Sequence, residues 1–319
     1  MRSALSIEDV IEAKDVTREG MCRRAERLDR ICSSFDLDFD YPLFKGIRLD
    51  ETQLRGVKES VEQYLADSLI ADGVEGVTDG RGLIEEMPPE LVTLGNRTPN
   101  GLVLPKVENI KSFNAVHASM ASMSSHFLNH HASGVHLPLS VRIVGGKTDV
   151  VHRHRNRATS KFHSDVWAAE PSNGMMVFLT LGGDLEKSGI EFVEPDVFPG
   201  ELIAPLNDFS NGAELAKRGR SYDIRLEPGC LYFSDPYLLH RTSQRGGPRL
   251  SLDFRFLSHE ILDSDHFLDT PRLKNYISVE DWLSGGTDKW LSTSNSFRQF
   301  RESGDSSNSY SGEVALIGA

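Results

Sequence analysis

Residues 249–258, "RLSLDFRFLS", alternate without a break: Leu250, Leu252, Phe254 and Phe256 fall on one side, Arg249, Ser251, Asp253 and Arg255 on the other. A period of two is that of an extended strand, and an apolar row opposite a polar row means one face on a core and one on water or a pocket. The same period begins at residues 135–144, "VHLPLSVRIV", where Val135, Leu137, Leu139, Val141 and Ile143 alternate with His136, Ser140 and Arg142. Between these two stretches lie further strand-like runs: "DVVHRHRNR", "KFHSDVW", "MMVFLTL", "GIEFVEP", "SYDIRLE" and "GCLYFSD". Turns containing Gly or Pro separate them, with few helix-length segments between. The pattern predicts a mainly β protein with flanking helices, its core an antiparallel barrel or jelly roll.

The flanks read as helical. Ser6 with Asp9 resembles a capping box, and Met21, Ala25, Leu28 and Cys32 recur at helical spacing. Asp50 is placed to cap a second helix carrying Leu54, Val57, Val61 and Leu65 on one face. A third, from about Asn109 to His130, carries Ile110, Phe113, Met120, Met123 and Phe127, and is expected to pack on the sheet. Beyond the strands, "SVEDWLSGGTDKWLSTSNSFRQF" is helical again, and the Ser/Gly-rich end from Ser303 is expected to fray. Three parts follow: a helical region 1–134, a β core 135–260 and a helical extension 261–319 with its tail.

Across 319 residues, 35 Lys and Arg stand against 47 Asp and Glu, a net charge of −12. That balance argues against a general nucleic-acid binder, and no apolar run is long enough to span a membrane. Cys22, Cys32 and Cys230 form no CxxC pair and read as reduced thiols, which suits the cytoplasm. The basic cluster at 153–157 is therefore local, and fits a pocket for an anionic small molecule better than a phosphate track.

The chemistry concentrates in residues 150–167, "VVHRHRNRATSKFHSDVW", and in "DPYLLHRTS". In a strand, residues two apart share a side, so His163 and Asp165 aim together with Ser164 turned away. His240 lies far along the chain, after another strand. Two histidines and one carboxylate on one face of a metal leave its opposite face open, the facial triad of non-haem iron sites. Nine residues past His240 come Arg249 and then Ser251. A guanidinium can grip both oxygens of a carboxylate, and a hydroxyl two residues on adds a donor.

His163-Ser164-Asp165, His240 and Arg249-Leu250-Ser251 stand in the order and on the strands of the H-x-D…H triad and R-x-S motif. In this the sequence resembles the Fe(II)- and 2-oxoglutarate-dependent oxygenases over roughly residues 135–257. The resemblance implies a double-stranded β-helix and iron held by His163, Asp165 and His240. It implies Arg249 and Ser251 on 2-oxoglutarate, with dioxygen as the second cosubstrate. The implied reaction converts 2-oxoglutarate to succinate while an unactivated C–H bond of a small polar metabolite is hydroxylated or otherwise oxidised. Asp165 stands where halogenating relatives have a small residue, which implies transfer of oxygen. "HSDVW" followed by "EPSNGMMVFLTL" is similar to bacterial members acting on sugar, amino-acid or antibiotic precursors.

The residues alone leave two other readings open. One is a metal-dependent jelly-roll sugar isomerase or epimerase, which leaves Arg249 and Ser251 unexplained. The other is a non-catalytic metabolite-binding jelly roll. His152 and His154 form an H-x-H pair without a glutamate nearby, and are expected to be structural or substrate-facing and not metal-ligating. Arg153, Arg155 and Arg157 are expected to share a strand face, either as a solvated edge or with one of them gripping a substrate carboxylate or phosphate. Trp167 could wall the site or belong to the core. The Met175-Met176 pair and the Met120/Met123 stripe read as packing, and His126, His130 and His131 as a helix C-terminus.

Overall fold

The computed structural model describes residues 14–145, 154–244 and 246–284. Thr17 starts α1 (Arg18–Cys32), its hydroxyl accepting from the Gly20 N–H. A short hairpin follows, β1 (Phe39–Tyr41) and β2 (Phe44–Arg48), and then α2 (Glu51–Ala71). Asp50 and Gln53 satisfy each other's backbone N–H groups at the start of α2. After α3 (Leu83–Glu86) and α4 (Ile110–His131) come β3 (Ala132–His136), β4 (Ser140–Val144), β5 (Gly174–Gly183) and β6 (Ser188–Glu194). The chain continues through α5 (Gly212–Ala216), β7 (Arg220–Tyr222), β8 (Cys230–Ser234), β9 (Leu239–Gln244) and β10 (Arg249–Ser258). It closes, within the described residues, on β11 (Tyr276–Ser278) and α6 (Val279–Ser284).

Two antiparallel sheets result. The larger runs β1-β2-β8-β5-β10-β3-β11, with β4 also paired to β10, and the smaller runs β7-β6-β9. The predicted alternation decides how they stack. Leu250, Leu252, Phe254 and Phe256 of β10, with Met175, Val177, Leu179 and Leu181 of β5, join one apolar core with α2 and α4. Leu54, Val57, Val61 and Leu65 of α2 are all buried there, as are Phe113, Met120 and Phe127 of α4. The opposite face of the larger sheet meets the smaller one, where Phe192 lies 4.6 Å from Phe44 and 6.3 Å from Phe178 between ring centroids. A buried large apolar side chain contributes roughly 1.5–3 kcal/mol, so the helix-backed core is the main stabilising mass.

Several expectations are corrected. The run 135–144 is two strands, β3 and β4, broken where the Leu137–Pro138 peptide is cis and Pro138 has no N–H to donate. Of "DVVHRHRNR", the described part is a turn: Ala158 N–H donates to Arg155 O at 3.2 Å and Phe209 N–H to Asn156 O at 3.0 Å. Arg155 and Arg157 therefore share no strand face. In "KFHSDVW" only His163 pairs, in one bridge with His240, and residues 165–168 turn as a 3-10 helix. Strands β1 and β2 lie inside the stretch read as helical. β2 hid because its first four residues are all buried, Lys45 included, so it shows no alternation; the Lys45 ammonium is paired with Asp29 at 2.5 Å and with Asp40. The Ser6–Asp9 cap, His152, Arg153 and the chain from 285 onward lie outside the described residues.

One polar cluster ties the helical flank to the sheets. Arg24 and Arg27 of α1 face Asp235 and Asp265, and none of the four side chains is exposed. Arg24 Nε donates to Asp235 at 2.9 Å and Nη1 to Asp265 at 2.6 Å, while Arg27 Nη1 donates to Asp265 at 2.7 Å. Two cations against two anions leave no net buried charge. Removing one member leaves an uncompensated ion, which costs about 3–5 kcal/mol. Urea unfolding of Asp235→Ala is expected to show that loss, whereas Glu260→Ala, which breaks the exposed Arg30–Glu260 pair, should cost under about 1 kcal/mol. Equal small losses would mean that the quartet does not hold α1 in place.

Candidate active site

His163 and His240 are brought together by backbone alone. The His163 N–H donates to His240 O at 3.0 Å and the His240 N–H to His163 O at 2.9 Å, a closely bonded antiparallel pair. Both side chains therefore leave the same face, with ring centroids 4.3 Å apart. Each Nδ1 sits beside a backbone carbonyl, Lys161 O at 2.9 Å and Leu238 O at 3.2 Å. Donation from Nδ1 leaves the Nε2 lone pair of each ring free, the arrangement a metal-ligating imidazole needs. Phe209 stacks on His163, 4.9 Å away and 4° from parallel. Burial, and then the neighbouring His240, push the His163 pKa well down, so the ring is a neutral donor.

Asp165 arrives by a turn. The Ser164 hydroxyl accepts from the Val166 N–H and donates to Pro236 O at 2.6 Å, and the Asp165 N–H donates to the same carbonyl at 3.1 Å. Pro236 follows Asp235, so the buried quartet on α1 fixes the anchor of this turn. Asp165 Oδ1 lies 3.7 Å from Arg255 Nη2, and Oδ2 is buried without a hydrogen-bond partner among the described residues. A buried, unsatisfied carboxylate oxygen costs free energy and marks a place where a ligand is owed. Arg255 is itself held by Glu170 at 3.0 Å, and Glu170 also takes Arg272 and the Tyr276 hydroxyl at 2.9 Å. Burial raises the Glu170 pKa, but Arg272 and Arg255 outweigh it and bring it down to about 2. Among the described residues, no three His, Cys, Asp or Glu side chains already stand at the spacing of a metal's donors. The two histidines converge, and the Asp165 carboxylate leans toward Arg255 on the same cavity wall.

That cavity, about 450 Å³, lies between the two sheets and takes the whole polar row of β10: Arg249, Ser251, Asp253 and Arg255. Arg249 is buried, its Nη1 donating to the carbonyls of Ser188 at 3.1 Å and Gly189 at 2.8 Å on β6. Among the described residues its Nε has no hydrogen-bond partner and no carboxylate pairs with it. Asp253 pairs instead with Arg142, at 2.7 Å. Burial, partly offset by Asp253, pushes the Arg249 pKa down to about 10. A buried guanidinium bound only by carbonyls is what an incoming carboxylate would complete. The Ser251 hydroxyl faces Asp253 Oδ1 at 3.3 Å, on the same wall.

Other expectations fall as follows. His154 is exposed and away from the cavity, while Arg157 lines it. Arg155 holds Asn100, and Trp167 is core, its Nε1 donating to Leu202 O at 2.8 Å. Met175 packs under the helices, whereas Met176 lines the cavity. Arg245 lies outside the described residues. Residues that sequence reasoning missed are His136, Arg142 and Arg272. The first two sit on the polar side of the 135–144 alternation, a signal that was available; Arg272 sits in a loop without one. His136 Nε2 is buried without a hydrogen-bond partner among the described residues, and burial foremost brings its pKa down to about 3.

The chain matches no protein-family model and no curated protein. Among solved structures it is similar to SnoN, a non-haem alpha-ketoglutarate-dependent epimerase from nogalamycin biosynthesis. That match has 16% identity and a TM-score of 0.35, over 74% of this chain and 83% of that one. It is similar to AviO1 from Streptomyces viridochromogenes Tue57, with 13% identity and a TM-score of 0.39, over 72% of this chain and 93% of that one. EctD from S. alaskensis, solved with 2-oxoglutarate and 5-hydroxyectoine, matches with 16% identity and a TM-score of 0.39, over 74% of this chain and 75% of that one. At these TM-scores the assignment of function rests on the site itself.

An unpaired buried cation lowers stability in exchange for a binding role. Arg249→Met removes that charge but also the hydrogen bonds to the Ser188 and Gly189 carbonyls, so the unfolding free energy of the ligand-free protein is expected to stay within about 1 kcal/mol of the wild type. Urea denaturation checks this, and a larger loss would make Arg249 a structural brace first.

Proposed function

We propose that the chain is an Fe(II)- and 2-oxoglutarate-dependent dioxygenase acting on a small polar metabolite. In this reading residues 135–260 form its catalytic double-stranded β-helix and the flanks 1–134 and 261–319 are additions to it. The observation that carries the proposal is one cavity lined by two unlike sets of unsatisfied groups. Two Nε2 lone pairs and a buried, unsatisfied Asp165 oxygen ask for a cation, and the Arg249 guanidinium, without a carboxylate partner, asks for an anion. An isomerase or a bare metabolite-binding module accounts for the first set and leaves the second unexplained. The residues fit iron: imidazole nitrogens and one carboxylate are the donor set of the facial triad.

His163, Asp165 and His240 would hold the metal, with the backbone carbonyls at Lys161 and Leu238 fixing both imidazole tautomers. Arg249 would take the distal carboxylate of 2-oxoglutarate, with Ser251 beside it. When bound, iron and 2-oxoglutarate supply, with dioxygen, the oxidation of an unactivated C–H bond coupled to formation of succinate and carbon dioxide. The chain's own work is orientation and exclusion of water. Phe178, Phe192 and Phe209 wall the cavity with apolar surface, and the Glu170–Arg255 pair keeps Arg255 beside Asp165. Hydroxylation of a biosynthetic precursor fits this cavity's size and polar lining. The three free thiols, Cys22, Cys32 and Cys230, belong to the same reading of a cytoplasmic enzyme. No helix among the described residues is long and apolar enough to cross a membrane.

The test is anaerobic addition of Fe(II) and 2-oxoglutarate, watching the visible charge-transfer band of the chelate. His163→Ala, Asp165→Ala and His240→Ala are each expected to lose most iron binding, while His154→Ala keeps it. Arg249→Ala should keep iron and bind 2-oxoglutarate a hundredfold or more weaker, the equivalent of about 3 kcal/mol. Arg249→Lys should recover only part, since an ammonium cannot make the two-pronged contact. Oxygen-dependent release of succinate completes the assignment. A wild-type protein that binds iron but shows no band with 2-oxoglutarate would sink it.

A further inference from the structure

The cavity holds a second cation that its surroundings do not neutralise. Arg157, in the turn before His163, is half-buried and lines the cavity. Its Nη2 donates to Trp167 O at 3.2 Å, and the guanidinium lies over the Phe209 ring at 5.6 Å. Among the described residues no carboxylate pairs with it. Arg272 and Lys274 line the same cavity, and Arg272 is already committed to Glu170. Burial, and then the charge of Arg272, lower the Arg157 pKa. Like charges held together in a partly desolvated space destabilise one another, and a bound anion relieves this.

The two unneutralised arginines belong to different neighbourhoods. Arg249 is tied to the β6 carbonyls and stands near Asp253 and Arg142. Arg157 is tied to the turn that follows Asp165, and it shares with the His163 imidazole the neighbouring ring of Phe209, 5.6 Å from the guanidinium and 4.9 Å from the imidazole. Resting on the oxygenase reading, in which Arg249 is occupied by the cosubstrate, we propose that Arg157 binds an oxyanion of the substrate itself, a carboxylate or a phosphate. The guanidinium presents five N–H donors, and one committed to Trp167 O leaves a fork for two oxygens. Phe209, next to both the His163 ring and the Arg157 guanidinium, spaces the anchored group from the metal end. The substrate class is thus a small polar metabolite with one anionic terminus, its reacting carbon lying toward His163.

The test uses two oxyanion probes, sulfate in place of phosphate and acetate in place of a carboxylate. Each is titrated calorimetrically, at constant ionic strength, into protein saturated with Mn(II) and 2-oxoglutarate. The wild type is expected to take up one further anion, and the stronger of the two probes names its chemistry. Arg157→Gln should weaken that uptake about tenfold or more, and Arg157→Lys by less, because the charge stays while the fork is lost. The affinity for 2-oxoglutarate should stay within about twofold in both variants, which also reports that they are folded. Arg249→Ala should show the converse, with weakened 2-oxoglutarate and retained probe binding. Absence of a second anion in the wild type, or undiminished uptake by Arg157→Gln, overturns the proposal. Failure of 2-oxoglutarate itself to bind instead overturns the oxygenase reading; the same probes titrated without it then still decide whether Arg157 holds an anion.

Discussion

The two-residue period of β10 is the constraint from which both the core and the site descend. The strand lies between β5 on one side and β3 and β4 on the other, so its side chains cannot choose their faces independently. Every apolar residue committed to the helices obliges its neighbour to face the cavity. A slip of one residue would send Arg249 and Arg255 into the helix-backed core and Phe254 into the site. Neither charge could survive there unpaired, so the register that makes the protein stable is also the register that makes the cavity polar.

Much of this was legible because alternation is a local signal. The polar row of β10, strand β6 and the three long helices follow from spacing of apolar residues within a dozen positions, and β5 and β8, buried almost throughout, show instead as short apolar runs between turns. The turn at 154–161 and the hidden strand β2 were not, for opposite reasons. The basic run at 150–157 imitates alternation, but the hydrogen bonds of its described residues, 154–157, go to a turn and to Phe209. The buried β2 abandons alternation because Lys45 finds its counter-ions in Asp29 and Asp40, which no local pattern announces. His163 and Asp165 both line the cavity, His163 through its bridge to His240 and Asp165 through a turn capped by Ser164, where spacing suggests one strand. The Arg24, Arg27, Asp235 and Asp265 quartet joins residues more than two hundred positions apart, and only the fold could show it.

Charge is distributed against the grain of the whole chain. A protein with a net charge of −12 turns Arg142, Arg157, Arg249, Arg255 and Arg272 inward to a single cavity, with Asp165 and Asp253 among them. Such a reversal focuses potential where the walls exclude water, and draws anions from a surface that otherwise repels them. Three of the five arginines are held by carboxylates, Arg142 by Asp253 and Arg255 and Arg272 by Glu170, which leaves the field of the other two open to ligands.

Arg249 leaves the larger sheet and ends on the carbonyls of Ser188 and Gly189 in the smaller one. It is therefore a strut as well as an anchor, and at that end the gap between the sheets is the reach of one arginine side chain. Backbone pairing sets no such limit between sheets, so the width of the cavity there is written in a single rotamer. A shorter residue would have to draw the two sheets together or give up the far wall, and the cavity would change volume before it changed chemistry.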